Sequence, residues 1–320
     1  MRLSIVIPCH SRTDLLRGCL AAVARHRPSQ TEVIVVDDAS PQAAAAAEAS
    51  RWPGVVVVRR EQRGGFCAAV NAGLRAATGA IVELLNDDAE PTAGWAEAAL
   101  RHFAKPDIVA VAPLVLRWPA GTVIDSAGDV FYLSGVARKR GLGQRLSGVG
   151  LRAGPIFSAC GCGAFYRRAA LQAIGGFPED FGAYFDDLDV AFRLRWAGGQ
   201  VWFEPASRVL HHGAASYGRR PSAALLAQQS RNEERLFWRH VPRQLWPRAL
   251  PQHLAVLAGK AWARWREGTL APFLAGRLAA WREVPATLRQ RRRRDAQAAP
   301  LDWSCLNATW PGPAPASVEP

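Results

Sequence analysis

The sequence predicts an α/β protein built on a doubly wound, largely parallel sheet, with a helical basic extension at the C-terminal end. Two observations predict the sheet. Short apolar runs rich in Val and Ile alternate with helical patterns through residues 1–105. Acidic residues follow several of these runs, and parallel sheets bind ligands beyond the carboxyl ends of their strands. The extension is predicted because Trp and Arg intersperse along helical patterns after residue 225.

Residues 1–105 are predicted to alternate strictly between strand and helix. Each strand is a short β-branched run, and each helix carries apolar residues at helical spacing. Strands are predicted at residues 3–8, 32–36, 55–58 and 80–85. Helices are predicted after residue 11, and at residues 42–50, 66–77 and 94–103.

Residues 106–225 are predicted to complete the same domain with a less regular pattern. Strands are predicted at residues 108–116, 159–166, 201–203 and 209–210, and a short helix at residues 169–174. Residues 117–154 are rich in glycine and include the basic run Arg138, Lys139 and Arg140. We expect this segment to be an irregular, mobile loop near the site.

Three polar clusters follow apolar runs and predict one active site. The central one lies in residues 181–195 (FGAYFDDLDVAFRLR), where acids stand between two aromatics and a helical run. Clustered acids are costly to bury unless a cation, a proton or a polar substrate uses them. The alternative is a helix N-terminus, whose dipole favours acids. The clusters are Asp186, Asp187 and Asp189; Asn86, Asp87 and Asp88; and His211 and His212.

The charge and the cysteines set limits on the partner and the compartment. The formal charge of +13 indicates an anionic partner, such as nucleic acid, acidic lipid or a phosphorylated ligand. Six cysteines occur without the spacing of a metal site, so we expect them to be reduced and mostly buried in a cytoplasmic protein. We see neither a signal peptide nor an apolar run of about 18 residues, so we expect no membrane span.

The C-terminal part divides into an extension and a tail. Residues 226–295 form the predicted basic helical extension, and residues 296–320, rich in Ala and Pro, are predicted to be disordered. Basic helices with interfacial aromatics suit an anionic membrane surface. The alternative is ordinary packing of amphipathic helices on the domain, with a solvated arginine run.

Seven motifs in register resemble one family, the inverting family-2 glycosyltransferases, and within it the bacterial rhamnosyltransferase type. The resemblance spans residues 3–237 and implies the GT-A fold, with a nucleotide-binding half at residues 1–105 and an acceptor half at 106–225. The motifs are SIVIPCHSRTDLLRGCL, VIVVDDAS, GGFCAAVNAGLRAATG, LLNDDAEP, GCGAFYRRAALQAIGGFPEDF, YFDDLDVAFRLRWAG and VLHHGAAS.

The resemblance implies a metal-dependent transfer of a sugar from a nucleotide sugar, UDP- or dTDP-linked by family habit. The acceptor would be a lipid-linked or growing surface glycan at the cytoplasmic face of the cell membrane. Asp88 and His211 would hold Mg²⁺ or Mn²⁺, with His212 as the rival of His211. The implied nucleotide contacts are Pro8, Asp37, Asp38, Asn71 and Asp87; among them Asp37 would read the base and ribose, and Asp87 would make a ribose or water-mediated contact.

Asp187 would be the general base that takes the proton from the acceptor hydroxyl, and Asp186 would bind the acceptor. For Asp189 we favour a structural pairing with Arg193 at i+4. The sequence departs from the family pattern at Asn86, the first position of the metal-binding motif. It departs again at Arg63, where relatives often have Asn.

Two other function classes compete with this interpretation. A nucleotidyltransferase also places acids after strands, but residues 8–10 (Pro-Cys-His) replace the glycine-rich basic loop such an enzyme needs. A non-catalytic basic protein would bind nucleic acid through its arginines. The acids crowd the predicted cleft, however, and no nucleic-acid motif appears, so we expect no nucleic-acid partner.

Overall fold

The computed structural model describes residues 1–213 and 222–295, except for the side chains of residues 292–295. Its architecture is mixed α/β with a helical C-terminal part, as the sequence predicts. Residues 296–320, for which we predicted disorder, lie outside the described residues. The predicted boundary at residue 225 stays a prediction.

The first part of the chain alternates strands and helices. The predicted elements are all present, with one short extra strand after β4. They are β1 (Leu3–Cys9), α1 (Thr13–His26), β2 (Glu32–Asp37), α2 (Ala44–Ala49), β3 (Val55–Arg59), α3 (Phe66–Ala76), β4 (Ile81–Leu85), β5 (Ala89–Pro91) and α4 (Trp95–Leu100).

The second part adds strands of both directions and two short helices before the C-terminal helices. The two predicted strands around residue 205 form one long strand, β12, which accommodates Pro205 in an irregularity between Glu204 and Arg208. The elements are β6 (Ile108–Arg117), β7 (Ile124–Ser126), β8 (Asp129–Phe131), β9 (Ala137–Lys139), β10 (Gly154–Ile156), β11 (Gly163–Arg167), α5 (Arg168–Ala173), α6 (Asp186–Trp196) and β12 (Gln200–His211).

The central sheet has the order β10-β12-β6-β11-β4-β1-β2-β3. The four strands from β4 to β3 are parallel, which confirms the prediction for residues 1–105. Beyond them β11 is antiparallel to β4 and β6, whereas β12 is parallel to β6. The carboxyl ends of β1, β2 and β4 therefore share one edge, and β11 separates this parallel block from β6 and β12.

Strand residues alternate between two cores, so the sheet is covered on both faces. Val6 and Ile34 belong to the apolar cluster that includes α3, whereas Ile5 and Ile7 belong to the cluster that includes α1. Each such side chain contributes roughly 1.5–3 kcal/mol when it is fully buried. This covering on both faces is what the near-continuous apolar strands indicate.

The prediction of an irregular loop at residues 117–154 is wrong in part. β7 pairs with β6, and β8 and β9 form a hairpin. Ile124 and Phe131 are fully buried, so the segment adds side chains to the core. The hairpin turn needs Gly135, which has φ of +85°, a value that L side chains rarely adopt. The glycines that suggested irregular structure include the turn residue of this hairpin.

Three helices, α7 (Ala223–His240), α8 (Trp246–Arg266) and α9 (Leu270–Asp295), form the C-terminal part. Leu236 and Phe237 of α7 are fully buried and belong to the same apolar cluster as Val6. Ala249 of α8 belongs to this cluster too, so α7 and α8 pack on the sheet domain, as the alternative interpretation of this segment stated.

The five cysteines among the described residues are unpaired and buried, as predicted. Within residues 1–213 and 222–295, no helix combines the length and the apolarity needed to cross a membrane.

A buried charge network joins the three C-terminal helices. Glu234 of α7 accepts hydrogen bonds from Arg277 Nη1 at 2.7 Å, Trp281 Nε1 at 2.7 Å and His253 Nε2 at 3.2 Å. Burial acts to raise the pKa of Glu234, but the hydrogen bond from His253 and the charge of Arg277 outweigh it and lower the pKa from 4.5 to about 2. The carboxylate therefore stays ionised inside the helical bundle.

Replacing Glu234 by Gln leaves the Arg277 charge without one of its buried partners. We expect a loss of roughly 3–5 kcal/mol in the free energy of unfolding, measured by denaturant titration. The depressed pKa of the wild-type carboxylate makes this advantage complete above pH 4.5 and lost as the pH falls through about 2.

Glu267→Gln serves as the matched control, because Glu267 forms an exposed pair with Arg264. That pair is worth about 0–1 kcal/mol. Equal losses in the two variants at pH 7 would contradict a stabilising role for the buried network.

Candidate active site

A cavity of about 300 Å³ contains most of the catalytic and metal residues named from the sequence. Its wall combines the ends of β4 and β12, β9, the loop before β11, and the start of α6. The lining residues are Phe66, Asn86, Asp88, Lys139, Cys160, Gly161, Cys162, Ala183, Tyr184, Phe185, Asp186, Asp187 and His211.

One side of the cavity carries a chain of hydrogen-bonded side chains. His211 Nε2 lies 3.2 Å from Asp88 Oδ1, and its Nδ1 lies 3.1 Å from Asp125 Oδ2. Lys139 Nζ donates to the same Asp125 oxygen at 3.0 Å. Burial acts to raise the pKa of Asp125, but His211 and Lys139 outweigh it and hold the pKa well below its usual range. An ionised Asp125 fixes the imidazole with Nδ1–H towards itself and Nε2 towards Asp88.

The structure distinguishes the two histidines that the sequence left as rivals. The His212 side chain turns away from the cavity, where Nε2 lies 3.0 Å from Glu90 Oε1 and the ring stacks on Trp118. His211 is the last residue of β12, and in extended chain adjacent side chains point to opposite sides. Only His211 of the pair lines the cavity together with Asp88.

Asp88 and His211 fit a divalent cation that a phosphate ligand completes. Among the described residues, no group of three or more His, Cys, Asp or Glu side chains could enclose a metal alone. Mg²⁺ commonly takes one or two carboxylates and completes its sphere with phosphate oxygens and water. Asn86 Oδ1 adds a buried oxygen that has no hydrogen-bond partner within the described part of the chain.

Asp186 and Asp187 begin α6 on another wall of the cavity. The preceding Tyr184 and Phe185 have φ of 68° and 65°, left-handed values that cost conformational energy in residues other than glycine. Asp187 Oδ1 accepts from Leu188 N at 2.9 Å and Oδ2 from Gly161 N at 3.3 Å. Burial raises the pKa of Asp187 even though these hydrogen bonds oppose it. Burial, and then the neighbouring Asp187, raise the pKa of Asp186 well above its usual value.

Asp189 has the structural role that we favoured. Its Oδ2 accepts from Arg193 Nε at 2.6 Å, which confirms the i, i+4 pair, and its Oδ1 lies 2.8 Å from His240 Nε2 of α7. Burial acts to raise the pKa of Asp189, but His240 and the nearby arginines hold it below its usual range. Asp189 thus ties α6 to α7 and does not line the cavity.

The two acids at the end of β2 anchor loops beside the cavity. Asp37 is 0% exposed and accepts from Ser40 N at 2.6 Å and Arg59 Nη1 at 2.7 Å. Asp38, 4% exposed, accepts from Gly64 N at 3.0 Å and Gly65 N at 2.8 Å. Arg60 Nη1 also donates to Asp38 Oδ1, so three donors occupy a carboxylate that has roughly four lone-pair sites, and one site stays open to a ligand.

Asp87 and Pro8 lie at the same strand edge as these acids. Burial raises the pKa of Asp87 to about 6, with the Cys9 thiol opposing and the charge of Asp88 adding to the shift. Pro8 is buried near the end of β1, in register with Val36. The predicted nucleotide residues Pro8, Asp37, Asp38 and Asp87 therefore cluster at the carboxyl ends of β1, β2 and β4.

Asn71 holds a loop in place. Its Nδ2 donates to Phe177 O and to Glu179 Oε1, both at 2.9 Å, and its Oδ1 accepts from Phe177 N at 2.8 Å. A Cβ at Gly176 would lie 2.5 Å from Asn71 Oδ1, so the bond requires glycine there. Asn71 connects α3 to the loop that precedes α6, and its direct contact with a nucleotide stays a prediction.

Two carboxamides of α7, which the sequence analysis missed, hold the turn before α6. Asn232 Nδ2 lies within 3.1 Å of the carbonyl oxygens of Phe181, Ala183 and Tyr184. Gln228 Nε2 donates to the carbonyls of Phe181 at 2.7 Å and Ala183 at 3.2 Å. The i, i+4 spacing places both on one helix face, but nothing in the sequence indicates the main-chain oxygens they bind. We call these two residues the α7 clamp.

Comparison with known protein families matches the chain to the model of glycosyl transferase family 2. It covers residues 4–175, which is more than half of the chain. The chain belongs to glycosyltransferase family 2. This membership favours the glycosyltransferase interpretation over the nucleotidyltransferase and basic-binding-protein alternatives.

Two relatives of this family-2 chain come from Mycobacterium tuberculosis. The N-acetylglucosaminyl-diphospho-decaprenol L-rhamnosyltransferase is 28% identical over 70% of the chain and 80% of its own length. The pre-mycofactocin glycosyltransferase is 29% identical over 65% of the chain. The match spans 42% of that relative's length, so only part of it has a counterpart here.

Solved glycosyltransferase structures confirm the predicted GT-A fold of this family-2 protein. GalNAc-T7, solved with UDP, GalNAc and Mn²⁺, superposes with a TM-score of 0.59 at 17% identity, over 75% of this chain and half of that chain. The mannosyltransferase PcManGT from Pyrobaculum calidifontis, solved with GDP-Man and Mn²⁺, gives 0.54 at 22% identity over 92% of this chain and 87% of its own. At these identities the likeness establishes the fold.

Replacing Asn232 by Ala removes hydrogen bonds to buried main-chain oxygens in the turn before α6. We expect a loss of about 1–3 kcal/mol in the free energy of unfolding. We also expect faster amide hydrogen exchange in peptides that cover residues 181–189. The control is Gln252→Ala, since Gln252 Nε2 donates to Arg248 O within its own exposed helical turn. Unchanged exchange across residues 181–189 in Asn232→Ala would contradict the clamp.

Proposed function

We propose that this family-2 protein is a metal-dependent inverting glycosyltransferase that uses a UDP- or dTDP-sugar. The acceptor in this proposal is a lipid-linked or growing cell-surface glycan. One observation carries it: the pair Asp88 and His211 and the acid Asp187 come from distant parts of the chain and line the same cavity. A glycosyl transfer with inversion needs both functions around one sugar, a cation for the leaving diphosphate and a base for the acceptor.

The nucleotide would lie along the carboxyl ends of β1, β2 and β4. The family resemblance assigns the base and ribose contact to Asp37, but Asp37 is 0% exposed whereas Asp38 keeps 4% exposure, so we propose Asp38 for this contact with Asp37 as its support. Pro8 would contribute a wall to this site, and Asp87 a ribose or water-mediated contact. A carboxylate suits this task because it accepts hydrogen bonds from a pyrimidine N–H and from hydroxyls.

Asp88 and His211 would hold Mg²⁺ or Mn²⁺ beside the nucleotide diphosphate. When bound, the cation neutralises charge on the leaving group. Asp125 and Lys139 keep the imidazole oriented, so His211 presents Nε2 in a fixed direction. Because the imidazole already has this orientation before the donor binds, less side-chain reorganisation is needed on binding.

Asp187 would remove the proton from the acceptor hydroxyl as its oxygen attacks the anomeric carbon opposite the leaving diphosphate. A single displacement of this kind inverts the configuration and needs no covalent enzyme intermediate. Burial raises the pKa of Asp187, which makes the carboxylate a stronger proton acceptor than an exposed aspartate. Asp186, adjacent and buried, would orient the acceptor. The mycobacterial rhamnosyltransferase, whose name gives a diphospho-decaprenol acceptor, supports a lipid-linked acceptor.

The exposed face of α8 and α9 supports peripheral contact with the anionic inner face of the cell membrane. Trp262 and Trp265 are 59% and 65% exposed, and Arg264 and Arg266 flank them. Trp238 and Trp246 instead pack edge to face within the helical bundle. The membrane proposal therefore rests on the outer tryptophans, and packing accounts for the inner ones. Other exposed apolar side chains of α8 and α9 are Leu254, Leu274, Leu278 and Trp281.

Turnover of UDP-, dTDP- and GDP-sugars with Mn²⁺ or Mg²⁺ tests the enzyme proposal. We expect wild type to release one nucleoside diphosphate, and Asp187→Asn to be roughly 10²–10⁴-fold slower because it has lost its base. The wild-type rate should fall as the pH decreases through a midpoint above 3.8, since only ionised Asp187 accepts a proton and burial raises its pKa.

Asp14→Asn is the control, because Asp14 is an exposed acid of α1. Nucleoside diphosphate binding measured by calorimetry with Mn²⁺ should persist in Asp187→Asn and vanish in Asp88→Ala. An Asp187→Asn enzyme at the wild-type rate would rule out the proposed base.

The double variant Trp262→Ser with Trp265→Ser tests the membrane contact. A large apolar side chain contributes roughly 1.5–3 kcal/mol on full burial, so partition onto anionic vesicles should fall by at least about tenfold. Sedimentation with phosphatidylglycerol vesicles measures it. Val56→Ser, at an exposed site on the edge strand β3, should bind like wild type. Equal binding of the double variant and wild type would exclude this face as the contact.

A further inference from the structure

A second cavity, of about 400 Å³, lies between the C-terminal helices and the turn before α6. α7, α8 and α9 contribute its walls, and Tyr184 and Phe185 close it. Those same two residues line the catalytic cavity, immediately before Asp186 and Asp187. A ligand in the helical cavity therefore lies one wall away from the proposed base. All of its walls lie beyond residue 175, where the family match ends.

The lining of this cavity is aromatic and polar, with balanced charges. Tyr184, Phe185 and Phe273 supply rings, and Gln229 and Thr269 supply hydrogen-bonding groups. Pockets of 300–1,000 Å³ with apolar walls and a few convergent polar groups are typical of small-molecule sites. Aromatic rings beside hydrogen-bonding side chains suit a sugar ring, which is apolar on its faces and polar at its edge.

The charges in the lining come in neutralised pairs. Lys260 contacts Glu233, and Arg264 Nη1 donates to Glu267 Oε2 at 2.9 Å. Glu233 is also paired with the buried Arg277. An anionic ligand such as a diphosphate requires an excess of cations, and these pairs provide none. A neutral, polyhydroxylated ligand can bind here without breaking an ion pair.

The position of the helical cavity favours an acceptor over a donor as its ligand. The proposed nucleotide residues lie at the ends of β1, β2 and β4, whereas the helical cavity adjoins the start of α6, where the base is. The α7 clamp also fixes the backbone of the shared wall before any ligand binds. A preformed wall lowers the ordering cost of binding.

We propose that the helical cavity is an acceptor subsite that binds a neutral inner sugar residue of the glycan, while the terminal residue of the same glycan presents its hydroxyl to Asp187 in the adjoining catalytic cavity. This inference rests on the proposed glycosyltransferase function and names the acceptor chemistry. The sugar ring stacks on the aromatic wall of Tyr184, Phe185 and Phe273. Its hydroxyls bond to Gln229 and to lone pairs of Glu233 and Glu267 that Lys260 and Arg264 do not occupy.

Saturation-transfer NMR of the full-length protein with a panel of neutral methyl glycosides tests the subsite directly. The panel contains methyl rhamnoside, methyl N-acetylglucosaminide, methyl galactoside and methyl mannoside. We expect at least one to bind wild type. Ala263→Phe, which fills the cavity from α8, should weaken that glycoside by at least about tenfold. Ala258→Phe, on the exposed face of the same helix, is the matched control and should bind like wild type.

Gln229→Leu provides a milder second variant, because it keeps the volume of the wall and removes a hydrogen-bonding group. It should weaken the same glycoside severalfold, and thermal unfolding shows whether either variant is folded. Silence of the whole panel, or binding that neither variant weakens, would overturn the subsite. Binding of inorganic pyrophosphate in competition with the glycoside would overturn its neutral character.

The outcome is separable from that of the enzyme proposal. Glycoside binding should persist in Asp187→Asn and Asp88→Ala, since neither residue lines the helical cavity. Normal nucleotide release, together with a glycoside signal that neither Ala263→Phe nor Gln229→Leu weakens, would refute the subsite alone. Absent nucleotide release with a sensitive signal would refute the enzyme proposal and leave a sugar-binding site.

Discussion

Hydrogen bonds from α7 to main-chain oxygens of residues 181–184 hold the turn on which the candidate site depends. Tyr184 and Phe185 adopt left-handed backbone angles that are unfavourable for non-glycine residues, and a turn of this kind persists only where its surroundings fix it. Asn232 and Gln228 supply that fixation. The direction of α6, and with it the position of Asp187, follows from a helix that lies outside the family-matched segment.

A second set of contacts positions the opposite functional group. Asp125 and Lys139 come from β7 and β9, the segment that looks least structured in sequence. They orient His211, while β12 pairs His211 with Ala89 beside Asp88. The proposed base Asp187 and the proposed metal ligand His211 are thus held by α7 and by β7 and β9, which carry none of the seven sequence motifs. Asp189 and His240 add a second link between α6 and α7.

The sequence predicts the N-terminal sheet well because its signal is local. Short β-branched runs followed by polar residues need no knowledge of partners, so β1 to β4 and the acids Asp38 and Asp88 could be placed at one edge. The residues that were missed act through distant contacts. Asp125 lies 86 positions from His211 and Asn232 lies 51 from Phe181. The glycines of the β8–β9 region, and Pro205 within β12, signal interruption in sequence although the strands continue around them.

The α7 clamp binds main-chain atoms of the turn and makes no use of the side chains there. Its acceptors are the carbonyl oxygens of Phe181, Ala183 and Tyr184, which every residue type possesses. The rings at positions 184 and 185, which wall both cavities, can therefore be exchanged without removing these bonds. Such an arrangement separates the position of Asp187, the proposed base, from the shape of the two cavities. Under the proposed function, substitutions at these two adjacent positions would change the acceptor preference while Asp187 stays in place.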